Sequence, residues 1–445
     1  MRLDNLCIPG EDRAKDIRIA NGKIISVLPA GEVPPGEAPC GEIRAGGTPS
    51  GKIPGPHHSP SHPAEPTLSF DGALAFPGLI NSHDHLDFNL FPPLGNRIYS
   101  NYTEWGRDIH ANNPATIQAV LKVPQALRTQ WGVYKNLLNG FTTVVNHGER
   151  LATDASLINV FQEYYCLHSV GFERNWRWKL NKPLAASMPV VLHVGEGTDA
   201  AAKQEIDRLI RWNLRRRPLV GIHGVGMNDR QAAHFRALVW CPASNYFLLD
   251  RTAPIDRLKQ KVPVVFGTDS TLTAGWNSWA QIRMGRISQL ASDRELLDML
   301  TTTPAAVWGL TDRGALAAGR AADLVIARPN PGKRDTTNSD KRDTTNPDKR
   351  DTTNPGKRGA INPEPGTQHM DSFFKLDPED LLLVLHEGNI RLFDHSLRSS
   401  LIAAGLIKED FYQTHPGGKF VSGDLPGLMQ EIRRYYPAVQ FPTMP

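Results

Sequence analysis

Apolar and polar positions change their period several times along this chain, and the changes divide it into segments. From Ile17 to Leu28 the run Ile-Arg-Ile-Ala-Asn-Gly-Lys-Ile-Ile-Ser-Val-Leu reads as two short strands about an Asn21-Gly22 turn, because Asn-Gly tolerates the positive φ of a two-residue hairpin. Between Pro29 and Pro66 the pattern disappears. Gly and Pro crowd in, too little apolar surface remains to offset the entropy of ordering, and a flexible insertion is expected. Beyond Leu74, apolar runs alternate with stretches of helical spacing. Strands are expected to begin after Gly78 and at Asn139–His147, Cys166–Val170, Met188–Val194, Leu219–His223, Ala237–Cys241 and Val262–Gly267. Helices are expected at Gln125–Leu138, Leu157–Tyr165, Ala200–Arg216, Asp229–Arg236 and Ala253–Gln260. This alternation predicts parallel βαβ units. The segment spans roughly 240 residues, close to the about 250 typical of a (β/α)8 barrel. Seven of its strands are legible. Between His168 and His193 only Asn175-Trp176-Arg177-Trp178-Lys179-Leu180 is left for the fourth position, so the barrel should be compressed or irregular there.

The later part repeats the theme in shorter pieces. Arg294–Val307 has helical spacing, and Gly319–Ile326 reads as a turn entering an apolar strand. From Lys333 to Arg358 the chain repeats Lys-Arg-Asp-Thr-Thr-Asn with lysines at 333, 341, 349 and 357 and no hydrophobic residue to stack, which predicts a solvated linker. Leu381–Leu385 and Ile390–Phe393 form a second hairpin-like pair about Glu387-Gly388-Asn389, which joins the small β-domain begun before Leu28. Residues 399–445 read as mixed helix and loop.

Composition narrows the classes. With 445 residues, 50 Lys and Arg against 46 Asp and Glu leave a formal charge of +4, which gives no reason to expect nucleic acid. Cys7, Cys40, Cys166 and Cys241 are scattered without a Cys-x-x-Cys pair, so neither a disulfide framework nor a thiolate zinc site is indicated. The N-terminus carries an acid early, and no run of about 18 apolar residues occurs. A soluble, cytoplasmic protein with no membrane partner is expected. Gly46 to Lys52 spells Gly-x-x-x-x-Gly-Lys, but Ile53 stands where a magnesium-binding Ser or Thr would be, so no phosphate loop is assigned. His57, His58 and His62 read as loop residues.

Candidate chemistry sits at the ends of the expected strands. Phe76-Pro77-Gly78-Leu79-Ile80-Asn81-Ser82-His83-Asp84-His85 closes an apolar run on two histidines that share one strand face. Later strands end on His193 with Glu196 close behind, on His223, and on Asp269. All C-terminal strand ends of a parallel barrel meet on one face, so His83, His85, His193, His223 and Asp269 would converge. Three imidazoles and a carboxylate suit Zn2+, with Fe2+, Ni2+ or Mn2+ also admissible.

These motifs resemble the amidohydrolase superfamily, and within it the deaminase and chlorohydrolase-like branch related to cytosine and adenosine deaminases. The resemblance rests on Pro77–His85, Gly140-Phe141-Thr142-Thr143-Val144, His193-Val194-Gly195-Glu196, His223-Gly224-Val225, Cys241-Pro242-Ala243-Ser244-Asn245 and Gly267-Thr268-Asp269-Ser270. It implies an α/β fold with a (β/α)8 TIM-like barrel and a small β-sandwich domain built from both chain ends. The domain plan is then a sandwich from 1–28, 319–328 and 380–398, a barrel over 67–318, insertions at 29–66 and 329–379, and the segment 399–445. By the same resemblance His83, His85, His193 and Asp269 hold one divalent metal, Glu196 shuttles protons, and His223 orients the attacking water, with Asp269 also acting as base. A carboxylated lysine would bridge two metals in dinuclear relatives. Lys179 and Lys182 lie near that place in no recognisable motif, so one metal is expected. The implied reaction is hydrolytic deamination of an aminated heterocycle. The alternatives are hydrolysis of a cyclic amide, ester or C–Cl bond, or a silent barrel used as a binding scaffold. A small-molecule substrate is expected and self-association is left open.

Several residues keep two readings. Glu196 could instead cap the helix beginning near Asp199. Asn245 either contacts substrate or fixes the turn after Pro242. His147 and His168 either line the pocket or lie buried with satisfied hydrogen bonds, and Trp176 and Trp178 either pack or stack on a substrate ring.

Overall fold

The computed structural model describes all residues except 33–64, 154, 184, 186, 331–366, 408–409, 416–417 and 443–445. The Gly-x-x-x-x-Gly-Lys stretch, His57, His58, His62 and the Lys-Arg-Asp-Thr-Thr-Asn repeats lie outside the described residues.

Eight parallel strands form a TIM-barrel-like arrangement in two arcs. Leu79–Asp84, Phe141–Asn146 and Asn159–Phe161 make the first arc. Tyr165–Ser169, Val190–Val194, Leu219–His223, Ala237–Trp240 and Val264–Phe266 make the second, in chain order. The last strand meets the first through the amides of Thr268 and Asp269, which donate to the His83 carbonyl at 3.1 and 3.0 Å. The side chains sort by strand alternation. Val191, Val220, Ile222, Val239 and Val265 pack with one another in the barrel interior, while Val190, Leu192, Val194, Leu238 and Phe266 join the layer shared with the helices.

Two expectations about the third and fourth units are corrected. Leu157–Tyr165 is not helical; its centre is the short strand Asn159–Phe161, paired with Thr143–Val145. The fourth strand is Tyr165–Ser169, and Trp176–Leu180 is a helix rather than a squeezed strand. The irregularity therefore lies between the third and fourth strands, which three residues connect without a helix. Other bounds moved less. Ala200–Trp212 stops short of Arg216, Ile255–Leu258 is a single turn, and Arg294–Val307 divides into Asp293–Leu300 and Thr302–Trp308. A helix at Pro242–Leu249, started by Pro at its first turn, had no expected counterpart.

Outside the barrel, Lys15–Ala20 and Lys23–Pro29 form the expected hairpin, with φ of 50° at Asn21 and 75° at Gly22. A four-stranded sheet runs Lys23–Pro29, Lys15–Ala20, Arg2–Leu6, Thr67–Ser69. A six-stranded sheet runs Phe411–Gln413, Phe420–Ser422, Asn389–Phe393, Leu381–His386, Leu324–Ala327, Leu74–Pro77. The two share a core in which Leu3, Ile17 and Ile19 meet Leu324, Ile326, Leu383 and Phe393. Val325, Ala327 and Val384, on the opposite face of the six-stranded sheet, join the main core instead. Residues 399–445 thus supply two strands as well as helix and loop. Thr367–Phe374, within the stretch expected as low-complexity insertion, is a helix whose Phe373 and Phe374 are buried in the main core.

Candidate active site

Each site residue is aimed by its strand. His83 near the end of the first strand and His85 just after it face the interior, while Asp84 between them points back at helix Gln125–Leu138, where Asn136 Nδ2 donates to its Oδ2 at 2.8 Å. His193 follows the inward register of Val191. His223 needs another device. Val220 and Ile222 already face inward, so strict alternation would turn His223 out; it adopts φ of 71°, followed by Gly224 at 62°, and its ring centroid lies 5.4 Å from that of His193. Asp269 also has a left-handed backbone, with φ of 56°. Left-handed non-glycine residues are costly and concentrate where function requires them.

The donor atoms converge. His85 Nε2 stands 3.3 Å from His193 Nε2, and His193 Nε2 stands 3.4 Å from His83 Nε2. Asp269 Oδ1 is 3.6 Å from His83 Nε2 and 3.8 Å from His85 Nε2. Ligands about 2.0–2.2 Å from a tetrahedral ion stand roughly 3.3–3.6 Å from each other, so these separations suit one shared cation. Asp269 is held with Oδ1 toward the histidines. Its Oδ2 accepts from Ser244 Oγ at 2.8 Å and Thr273 Oγ1 at 3.0 Å, and the Ser270 amide reaches Oδ1 at 2.8 Å.

Protonation favours the same use. Burial pushes His83 down to about 3, with the positive charge of His85 adding to it. Burial also lowers His193, reinforced by His147 and His168, and lowers His223. Burial by itself would raise Asp269, but the hydrogen bond and charge of His83, with His85 and His223, outweigh it and hold the carboxyl well below its usual range. Around neutrality this sets an ionised Asp269 carboxylate beside neutral His83, His193 and His223, the states that bind a divalent cation.

Glu196 is buried, and its Oε1 lies 3.6 Å from His223 Nε2. Burial, followed by the negative charges of Asp269 and Glu205, raises its carboxyl well above the usual range. It is not the helix cap: Asp199 holds that position, accepting from the Ala202 amide at 2.9 Å. Asn245 lies behind His223. Its Oδ1 is 2.8 Å from His223 Nδ1 and its Nδ2 donates to Thr252 Oγ1 at 3.1 Å, so it does not reach the cavity wall.

The cavity in front of these groups holds about 80 Å3 and is walled by Phe88, Tyr102, Trp105, His168, Phe172 and Leu272. His168 belongs to this lining; burial lowers it to about 4. His147 lies one layer deeper. It is buried, its ring centroid is 4.5 Å from that of His193, and Cys166 Sγ stands 3.7 Å from its Nε2. Trp176 is packed, Trp178 is exposed, and neither reaches the cavity. Lys179 pairs with Glu173 and Lys182 lies over the Trp178 ring, so neither expected lysine enters the site. A larger hollow of about 720 Å3 beside Tyr436–Pro442 contains none of the clustered histidines.

Sequence reading did not find the roles of Ser244 and Thr273, although both lie within or just beyond quoted motifs. It also missed Phe88, Trp105 and Phe172, whose convergence depends on loop paths that no periodicity shows.

Residues 185–346 match the sequence model of the amidohydrolase family. No curated protein matches the chain by sequence. An adenosine deaminase from Xanthomonas campestris with bound zinc aligns over 98% of this chain and 98% of its own, with a TM-score of 0.60 and 15% identity. Atrazine chlorohydrolase from Arthrobacter aurescens, complexed with zinc, covers 91% of this chain and 99% of its own at a TM-score of 0.57 and 15% identity. Guanine deaminase from C. acetobutylicum with bound guanine covers 87% and 99% at 0.54 and 15%. At these identities the likeness is one of fold. The matched stretch, residues 185–346, takes in His193, Glu196, His223 and Asp269 and is similar to the amidohydrolase family, and the chain has the barrel fold of these deaminases and the chlorohydrolase.

Proposed function

We propose that the chain is a mononuclear metal-dependent hydrolase that deaminates an aminated heterocycle. The observation that carries this reading is the convergence of His83, His85 and His193 Nε2 with Asp269 Oδ1, with consecutive separations of 3.3–3.8 Å. Three imidazoles and a carboxylate fit Zn2+ best, and structures of two proteins of this fold carry zinc. A divalent cation in such a site lowers the pKa of a bound water to roughly 7.

The chain's own groups divide the remaining work. Asp269, kept ionised, accepts the proton of the attacking water. Glu196, kept protonated by burial and like charge, delivers a proton to a ring nitrogen and so prepares the adjacent carbon for attack. His223 presents a bare Nε2 toward Glu196 and Asp269 and directs the water. Return of the proton from Asp269 to the amino group lets ammonia leave, and the hydroxyl proton of the collapsing intermediate passes to Glu196 and restores it; the sum is ring–NH2 plus water giving ring carbonyl, with the ring nitrogen protonated, plus ammonia. Phe88, Trp105 and Phe172 offer apolar walls to a flat ring and exclude bulk water.

Hydrolysis of a C–Cl bond, a cyclic amide or an ester uses the same residues, and the fold shared with a chlorohydrolase favours keeping the C–Cl reaction beside deamination. Zinc-loaded protein assayed on purines, pyrimidines, pterins and amino- and chloro-triazines decides by product. Ammonia release supports deamination; chloride or acid release without ammonia replaces it. A scaffold would hold less than about half an equivalent of metal after growth in zinc. The same reading divides the chain into a barrel of eight strands and a small β-sandwich built from both sheets outside it.

A further inference from the structure

We infer that Lys135 and Asp84 form a buried ion pair that positions the metal ligands of the first and last barrel strands; this rests on the metal-site reading above. Lys135 is 1% exposed and Asp84 is fully buried. The lysine stands on helix Gln125–Leu138, behind the site, and Nζ uses its three protons on three segments. It donates to Asp84 Oδ2 at 3.2 Å, to Asn89 Oδ1 at 2.8 Å and to the main-chain carbonyl of Asp269 at 3.1 Å.

Each contact bears on a ligand. Asp84 lies between His83 and His85, and its other oxygen accepts from Asn89 Nδ2 at 2.9 Å, which fixes the strand end from which both imidazoles project. Asn89 Oδ1 also takes the Thr271 amide at 3.2 Å, linking the loop after His85 to the turn after Asp269. The third contact falls on the carbonyl of a residue whose φ is 56°. A left-handed aspartate persists only where its surroundings over-determine it, and the ammonium is one of the groups that do so here. Neither Lys135 nor Asp84 lines the cavity, so the lysine is a positioning residue. Its charge is balanced by Asp84, a pairing that neither partner could leave without stranding a buried ion.

The test compares the full-length parent with Lys135→Met and with Asp84→Asn/Lys135→Met, which removes both charges and so avoids a stranded carboxylate. Zn2+ affinity is measured by competition with a fluorescent chelator, alongside circular dichroism and melting in excess zinc. Loss of an outer partner of metal ligands typically weakens metal binding about 10–100-fold. We expect at least a tenfold weaker Zn2+ affinity in whichever variant folds. A folded variant that binds zinc as tightly as the parent overturns the inference. So does failure of both variants to fold with zinc present, since the pair would then be a staple of the barrel rather than a device for the ligands. A parent that binds no zinc refutes the metal-site reading itself, and that result is read from the parent alone.

Discussion

His223 Nδ1 and Asn245 Oδ1 are joined at 2.8 Å, and this bond decides which nitrogen of His223 faces the cavity. Asn245 Nδ2 is committed to Thr252 Oγ1, so Oδ1 accepts, Nδ1 carries the proton, and Nε2 is left bare toward Glu196 and Asp269. Asn245→Ala frees the ring and its tautomer. The expected result is a fall of about 10–100-fold in kcat, each tenfold equal to about 1.4 kcal/mol, with little change in KM. Asn245→Asp would set a carboxylate against Nδ1–H and raise the His223 pKa, moving the acid limb of the kcat profile upward. Unchanged kcat in Asn245→Ala would remove His223 from the mechanism.

The ligand and proton-transfer roles separate in a second set of variants. His83→Ala and Asp269→Asn each remove a donor from the cluster and should lose bound zinc together with nearly all activity. Glu196 touches no ligand nitrogen among His83, His85 and His193 at the separations that define the cluster, so Glu196→Gln should keep a full equivalent of zinc while kcat falls by about 10²–10⁴. Elemental analysis beside turnover checks this. Zinc loss in Glu196→Gln would make it a ligand rather than the acid.

The part of the site that could be read from sequence is the part set by strand alternation. His193 after Val191 inherits an inward register, and a parallel barrel then gathers His83, His85, His193 and Asp269 however far apart they lie in the chain. What escaped was whatever depends on short or non-local features. Asn159–Phe161 has three residues, too few to show a period of two, and the Leu157–Tyr165 spacing around it imitates a helix. Pro242–Leu249 begins on a Cys-Pro pair that reads as a turn. Lys135 and Asp84 are 51 positions apart and look, separately, like an exposed helical lysine and a strand-end acid. The left-handed backbones of His223 and Asp269 have no signature in the pattern of apolar and polar positions.

Gly267 shows how tightly the first and last strands are joined. A Cβ there would lie 2.8 Å from His83 Cβ, 2.8 Å from Val239 Cγ1 and 3.0 Å from Cys241 Sγ. Contacts this short require a shift, and moving His83 moves a ligand. Gly267→Ala should cost about 1–3 kcal/mol of stability, measured by denaturant melts of the metal-free protein. It should also weaken zinc binding more than a cavity mutation of similar cost on the outer face, such as Val264→Ala. Equal zinc affinity in the two variants would show that the ligands tolerate the displacement.

Glu205 makes stability depend on pH near neutrality. It is buried on helix Ala200–Trp212, where Oε1 accepts from the Gly195 amide at 2.7 Å and Oε2 from Tyr102 Oη at 3.1 Å. Burial raises its pKa to about 7, against the lowering effect of those two hydrogen bonds. The unfolded chain releases this proton near the ordinary glutamate value of about 4.3, so between about 4.3 and 7 the folded state binds more protons than the unfolded one. This contribution to stability is whole below that window and is lost as pH rises through it. Glu205→Gln keeps an oxygen for the Gly195 amide and carries no charge. Its melting temperature should stay level across the window while that of the parent falls, leaving the variant more stable by about 1–3 kcal/mol at pH 8. Parallel curves for the two proteins from pH 4.5 to 8 would place the Glu205 pKa at its ordinary value and exclude it as the source of the pH dependence.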